Sequence, residues 1–344
     1  MLLRTVLLLG PFLAAFTIDA AATAPAKGRV APRSRRTARH VRHETPIDAS
    51  VVNDATLAKP VGPGASASAV LRAQILLARA HFSSGEIDGR YGANLKGAIA
   101  DYRAAHGLPA GEVIEAETWR LLNGDPAPAL VRAAIAPEDV AGPFIPVPQD
   151  MMEKAKLPAL SYSSPLEAIA ERYHASPTLL QKLNPGASFD RAGDEVVVPN
   201  VLVAPPEKAA SIVVSQSRRA VLVLDAGGRI LSRYPATIGS EHDPLPIGKW
   251  KILGVAKNPP FHYNPDLFWD AKGSDQKTTI QPGPNNPVGV AWIDLSKEHY
   301  GIHGTPEPSQ IGKTQSHGCI RLTNWDVAEL SRIVGPGTPA SLEE

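Results

Sequence analysis

The chain has 344 residues, 43% of them hydrophobic and 20% charged, with 35 lysines and arginines against 34 aspartates and glutamates for a net charge of +1. That balance excludes a wholly disordered chain and a surface given over to nucleic acid, and the length holds two or three domains. A single cysteine, Cys319, excludes an internal disulfide and a CxxC metal site, while 33 prolines and 28 glycines predict many turns and linkers.

Residues 1–24 read as a secretory signal peptide. Arg4 supplies the positive end, residues 6–16 the apolar stretch, and the small residues of 20–24 the cleavage options. The stretch is shorter than the roughly 20 residues of a membrane span, and no later segment is long and apolar enough. The mature chain is therefore expected to lack a transmembrane segment and to work in the periplasm or cell wall. Residues 25–65 begin with Lys27, Arg29, Arg33, Arg35, Arg36, Arg39 and Arg42 and few large apolar groups, which predicts a basic disordered tether. Such a tether is either a solvated spacer or an electrostatic contact with an anionic polymer.

Residues 66–124 predict a small three-helix module. A helix over 70–81 is followed by the turn SSGEIDGRYG; Leu95, Ile99 and Tyr102 then recur on one helical face, and AETWRLLN closes the unit. The pattern IDGRYGANLKGAIADYRAAHGLPAGEVIEAETWRLL resembles the peptidoglycan-binding domain 1 family, departing from it at Leu95 and at Tyr102-Arg103. Tyr102 and Trp119 read as core, and contact with the wall polymer is what the resemblance implies. Residues 125–155 are expected to be a connector. Within 156–202, a helix, a break at Pro177, a second helix stopped by Pro185-Gly186, and a short strand in AGDEVVVPN follow one another. AERYHASPTLLQKLNPG and GDEVVVPN resemble a divergent LysM α/β module whose opening strand is blurred to LSYSSP; it is read as a glycan binder or as a spacer.

Past a linker at Pro205-Pro206, residues 207–342 predict a mostly-β domain. SIVVSQ, AVLVLD and RILSRYPATIG surround a turn at Ala226-Gly227-Gly228, and GKWKILGVAKNP, VGVAWIDL and YGIHG add strands. One clear helix lies near the end, with Asn324 as its N-cap, Val327, Leu330 and Val334 on one face, and Gly335-Pro336 as its stop. Ala340 and Glu343 are expected to weaken a closing strand.

The chemistry centres on Cys319. A thiol acts as thiolate, and its ordinary pKa of about 8.5 leaves a few per cent ionised at neutral pH, so a partner is needed. His303 and His317 are candidates. In a strand, His317 and Cys319 share a face; alternatively His317-Gly318 forms a tight turn that aims backbone N–H groups at an oxyanion. From these residues alone, Cys319 is equally readable as a small buried hydrophobe. His303-Gly304-Thr305 with Ser316-His317-Gly318-Cys319-Ile320-Arg321 resembles the L,D-transpeptidase (YkuD) catalytic domain, as do PLPIGKWKI and QPGPNNPVGVAWIDLS upstream. Arg321 stands where other branches carry asparagine.

The resemblance implies that Cys319 is the nucleophile and His303 its proton acceptor and donor. Gly304 would orient the His303 ring through its carbonyl, His317, Gly318 and Cys319 would supply oxyanion donors, and Ser316 and Arg321 would line the pocket. Phe261, Tyr263, Trp269 and Trp292 wall a peptide groove or pack in the core. No cofactor or metal is implied. The expected reaction is acyl transfer between peptidoglycan stem peptides, forming links between third-position residues in cell-wall biogenesis and cell shape. Water as acceptor makes an L,D-carboxypeptidase, and a lysine of an outer-membrane lipoprotein makes a protein-attaching enzyme. A non-catalytic wall-binding protein would have lost Cys319 or His303; a zinc peptidase would need more than His299 and His303, which lack an H-E-x-x-H frame.

Overall fold

The computed structural model describes residues 46–344. The expected signal peptide and the basic run of the tether lie outside the described residues. Residues 46–65, expected to belong to the tether, are folded. Asp48 caps a one-turn helix, α1 (Ala49–Val52), through Ser50 N–H; Val52 and Val61 are fully buried, and Val61 exchanges backbone hydrogen bonds with Ile114. Burying each such valine contributes about 1.5–3 kcal/mol.

The helical unit continues with α2 (Ala67–Arg79), α3 (Ala93–Ala105) and α4 (Ala116–Leu122). Ser66 caps α2 by accepting from Ala69 N–H. Leu95, Ile99 and Tyr102 turn inward as their spacing requires, and Trp119 is buried with its indole N–H donating to the Lys59 carbonyl at 2.7 Å.

The expected connector is more than a connector. It contains β1 (Leu130–Ala134), which pairs antiparallel with β2 (Glu195–Pro199) from Leu130↔Pro199 to Ala134↔Glu195. Between them lie α5 (Met151–Lys154), α6 (Pro165–Arg172) and α7 (Pro177–Leu183). LSYSSP, expected as a blurred opening strand, forms no strand; the partner of β2 is β1. In LSYSSP, Ser164 instead caps α6 and Pro165 occupies its first turn, just as Ser176 and Pro177 open α7. Val52, Leu71 and Ile75 from the helical unit share one core with Ile169, Leu180, Val196 and Val198. The two upstream units therefore do not hang as separate beads.

The last domain contains β3 (Ser211–Ser215), β4 (Ala220–Leu224), β5 (Ile230–Pro235), β6 (Thr237–Ile238), β7 (Gly248–Lys257), β8 (Phe261–Tyr263), β9 (Thr278–Ile280), β10 (Ala291–Leu295), β11 (Gly301–His303), β12 (Ile320–Arg321), α8 (Asn324–Ile333) and β13 (Pro339–Glu343). Nine strands form one sheet in the order β5-β4-β3-β13-β7-β10-β11-β12-β6, and β8 and β9 form a separate hairpin. The closing strand is not weak. β13 lies between β3, to which it is parallel, and β7, to which it is antiparallel, with Ala340 and Leu342 buried and Ser341 and Glu343 alternating outward. Thr323, not Asn324, caps α8, accepting from Asp326 N–H. Asn324 is buried and ties two loops together, donating to the Pro284 carbonyl and accepting from Val290 N–H.

The helical unit is docked on the free edge of this sheet. Arg233 of β5 exchanges backbone hydrogen bonds with His81 and Ser83, and its side chain, 1% exposed, meets Asp101 of α3 at 2.9 Å and the Ser83 carbonyl at 3.0 Å. Gly97 of α3 is required there, because a Cβ would overlap the guanidinium. Ser83 also donates to Asp326 at 3.0 Å, and His81 meets Glu329 at 3.1 Å. A strand edge that would otherwise template aggregation is covered in this way.

Candidate active site

β11 and β12 pair in parallel with Ile302 opposite Ile320 and His303 opposite Arg321, which sets Cys319 at the entry to β12 beside the strand that carries His303. The 316–319 segment is a turn rather than strand: Gly318 has φ +90°, and a Cβ there would press on the Tyr300 ring. Ser316 fixes the turn. Its hydroxyl donates to the Cys319 carbonyl at 2.6 Å and its N–H to the Gly239 carbonyl at 3.0 Å. It is buried and braces the loop instead of lining the pocket.

His303 is 4% exposed and stacks on Trp292 at 5.4 Å with 15° between the rings. Its Nδ1 lies 2.7 Å from the Gly304 carbonyl, so that nitrogen carries the proton and Nε2 is the free base. Burial, reinforced by the Arg321 charge, pushes its pKa down to about 3, which keeps the ring neutral. Cys319 is half-buried, with Sγ 3.8 Å from the His299 carbonyl. Burial raises the thiol, while the Gly301 backbone hydrogen bond and Arg321 work against that rise. Both groups rest uncharged.

They open into one cavity of about 950 Å³ that is also lined by Trp292, Tyr300, Phe268 and Arg321. Of the four aromatics singled out from sequence, Phe261, Tyr263 and Trp292 line it. Trp269 is 61% exposed and packs on the His242 and His317 rings at 4.8 and 5.6 Å. His317 proves to be a tie to the β8–β9 hairpin. Its Nε2 is 2.8 Å from Asp270, its Nδ1 is 3.4 Å from Arg321, and Phe268 lies edge-on at 5.0 Å.

The hairpin covers the cavity and is itself braced by the 147–160 segment. Lys272 pairs with Asp150, Gln276 N–H points at Met152 sulfur at 3.5 Å, and Leu160 packs with Tyr263 and Ile280. Sequence reasoning missed Asp270 and Tyr300, whose partnership with the motif exists only through space; DLFWD, an aromatic pair between two aspartates in a turn-rich stretch, was the available signal. Among the described residues, no three His, Cys, Asp or Glu side chains converge on a metal position.

Fold and site together define a mostly-β domain whose cavity brings together a thiol at the end of a glycine turn, a neutral imidazole of set tautomer, and a cationic arginine. The profile of the L,D-transpeptidase catalytic domain (YkuD) matches residues 209–342, and that of a peptidoglycan binding domain matches residues 66–122. YkuD of Bacillus licheniformis, named as an L,D-transpeptidase, is 33% identical over 179 residues, covering 52% of this chain and 92% of that protein. ErfK/SrfK of Salmonella typhimurium, named likewise, is 29% identical over 181 residues, covering 51% of this chain and 58% of that protein. A solved L,D-transpeptidase of Mycobacterium smegmatis aligns at TM-score 0.32 and 18% identity over 45% of this chain and 70% of that one, too loosely to bear on the fold. The chain belongs to the L,D-transpeptidase family. No helix among the described residues is long and apolar enough to cross a membrane.

Proposed function

We propose that the protein is an exported, Cys319-dependent peptidoglycan L,D-transpeptidase that links third-position residues of stem peptides. The observation that carries this reading is the His303 tautomer: Nδ1–H is committed to the Gly304 carbonyl, which leaves Nε2 as a base facing the cavity that contains Cys319. On binding a stem tetrapeptide, Nε2 takes the thiol proton as sulfur attacks the carbonyl of the third residue. The backbone N–H groups of His317, Gly318 and Cys319 receive the oxyanion, and Arg321 adds positive charge to the pocket. Terminal D-alanine leaves with the proton from His303, and a thioester remains. An amine from a second stem then displaces the sulfur.

The helical unit and the β1–α6–α7–β2 unit hold the enzyme on the polymer in this reading, the second by contact with glycan. Because both are packed against the catalytic domain, they fix its orientation on the wall as well as its local concentration. The test is Cys319→Ala: muropeptide turnover by purified protein should vanish while the circular-dichroism spectrum is retained. Undiminished turnover would refute the assignment.

A further inference from the structure

Four aspartates line the cavity that contains Cys319: Asp150, Asp243, Asp270 and Asp275. Three have partners. Asp150 pairs with Lys272, Asp270 meets His317 at 2.8 Å, and Asp275 accepts the Tyr263 hydroxyl at 2.8 Å. Asp243 differs, because its Oδ2 is buried with no hydrogen-bond partner. It is also held in place. Its N–H donates to Ser240 Oγ at 3.0 Å, its carbonyl accepts from Ser240 N–H at 2.9 Å, and buried Leu245 anchors the loop from the other side. Gly239 at φ +50° lets the loop close on itself, since a Cβ there would strike the backbone of 243–245.

A buried acceptor without a partner costs about 1–3 kcal/mol, and more when charged. A fold that keeps such a carboxylate in a reaction cavity points to a cationic ligand. We propose that Asp243 is the acceptor subsite: its carboxylate receives the ammonium group of the incoming amine, next to the acyl group carried by Cys319. This rests on the thioester reading above.

The assignment to acceptor rather than donor follows from charge. After burial, Asp243 is among the groups that keep the Cys319 thiol protonated, so it opposes the first half-reaction. The thioester is neutral, and the opposition disappears there. In the second half-reaction a C–N bond forms, the C–S bond breaks, and the ammonium sheds two protons. One passes through His303 Nε2 to the departing sulfur and restores the thiol. The other is released to water.

The experiment uses the full chain and a tetrapeptide donor, and reads the ratio of acceptor adduct to hydrolysed tripeptide by mass spectrometry. Three acceptors are compared: a stem peptide with a free diamino-acid amine, a lysine-containing peptide, and hydroxylamine, which is uncharged at neutral pH. Asp243→Asn should lower the ratio for at least one charged acceptor by about tenfold or more, the loss of one charge-assisted hydrogen bond, and change the hydroxylamine ratio by less than twofold. Asp243→Glu should restore part of the ratio. Iodoacetamide should alkylate Cys319 at least as fast in Asp243→Asn, because a negative charge has gone.

In the wild type, tetramethylammonium chloride should suppress adducts of the charged acceptor and not of hydroxylamine, relative to sodium chloride, a reading that needs no variant. Whichever charged acceptor responds identifies the source, stem or protein. Equal losses with all three acceptors, no loss with any, or tetramethylammonium without effect would overturn the Asp243 subsite. Failure of wild-type Cys319 to form a thioester would instead overturn the transpeptidase reading itself.

Discussion

Removing the Asp101 carboxylate should loosen the protein far from its chemistry. Asp101 is 4% exposed and bonds Arg233, itself 1% exposed, at 2.9 Å, and Arg218 at 2.6 Å. In Asp101→Ala, Arg233 keeps its bond to the Ser83 carbonyl and the more distant charge of Asp326 but remains buried without the carboxylate bonded to it, since Gly97 and the backbone pairing with His81 and Ser83 hold it there. Stranding one member of a buried pair costs about 3–5 kcal/mol. For a fold of this size that corresponds to a melting point lower by roughly 5–8 °C. Asp101→Asn, which keeps the shape and one acceptor, should lose less. Differential scanning calorimetry of the full chain reads the change. A melting point within about 2 °C of wild type for Asp101→Ala would refute the claim that this pair clamps the helical unit to the sheet edge.

Alkylation of Cys319 by iodoacetamide should accelerate roughly tenfold per pH unit from pH 6.5 to 8, because burial raises the thiol and holds His303 down to about 3, so no ion pair pre-exists. A rate flat through neutrality would contradict this. Stability should fall as pH rises from 6.5 to 8. Burial raises Glu171 to about 8 and Glu86 to about 7, so the folded state retains protons that the unfolded carboxyls, titrating near 4.5, have already lost. Asp326, raised to about 7 by burial, acts in the same direction, so the fall should be about 2–3 kcal/mol by urea denaturation and shallower in Glu171→Gln; rising stability over that window would sink the reasoning. His174, held down to about 4 by burial, works in the opposite direction only below pH 6.5. Breaking the hairpin tie with Asp270→Ala should raise KM for the donor several-fold with a smaller change in kcat, measured by steady-state release of D-alanine. A loss confined to kcat would place Asp270 in the chemistry instead.

The thiol, the imidazole and their family were legible because they sit in two short continuous motifs whose spacing survives without knowledge of the fold. The 316–319 turn was not decidable from sequence: the choice between strand and turn rests on the φ of Gly318, and the Tyr300 ring that excludes a Cβ there comes from outside the segment. β1 escaped notice because LVRAA is a weak strand by itself and gains its identity from a partner 65 residues away. The closing strand looked weak by composition, yet Ala340 suits a position packed between two neighbours, where a larger side chain has less need to be. Docking of the helical unit was invisible, since Arg233 and Asp101 each read as ordinary surface charges until α3 and β5 are brought together. Thr323 took the capping role expected of Asn324 for a similar reason: either can cap a helix, and the loops around Pro284 and Val290 claim the asparagine.

The proposed catalysis at Cys319 is covalent, and intact-mass spectrometry of the full chain mixed with a stem tetrapeptide reads the intermediate itself. A transient adduct equal to the tripeptide acyl group is expected, mapped by digestion to the peptide containing Cys319, absent in Cys319→Ala, and formed with release of free D-alanine. Release of D-alanine with no adduct on Cys319, or an adduct on another residue, would contradict it.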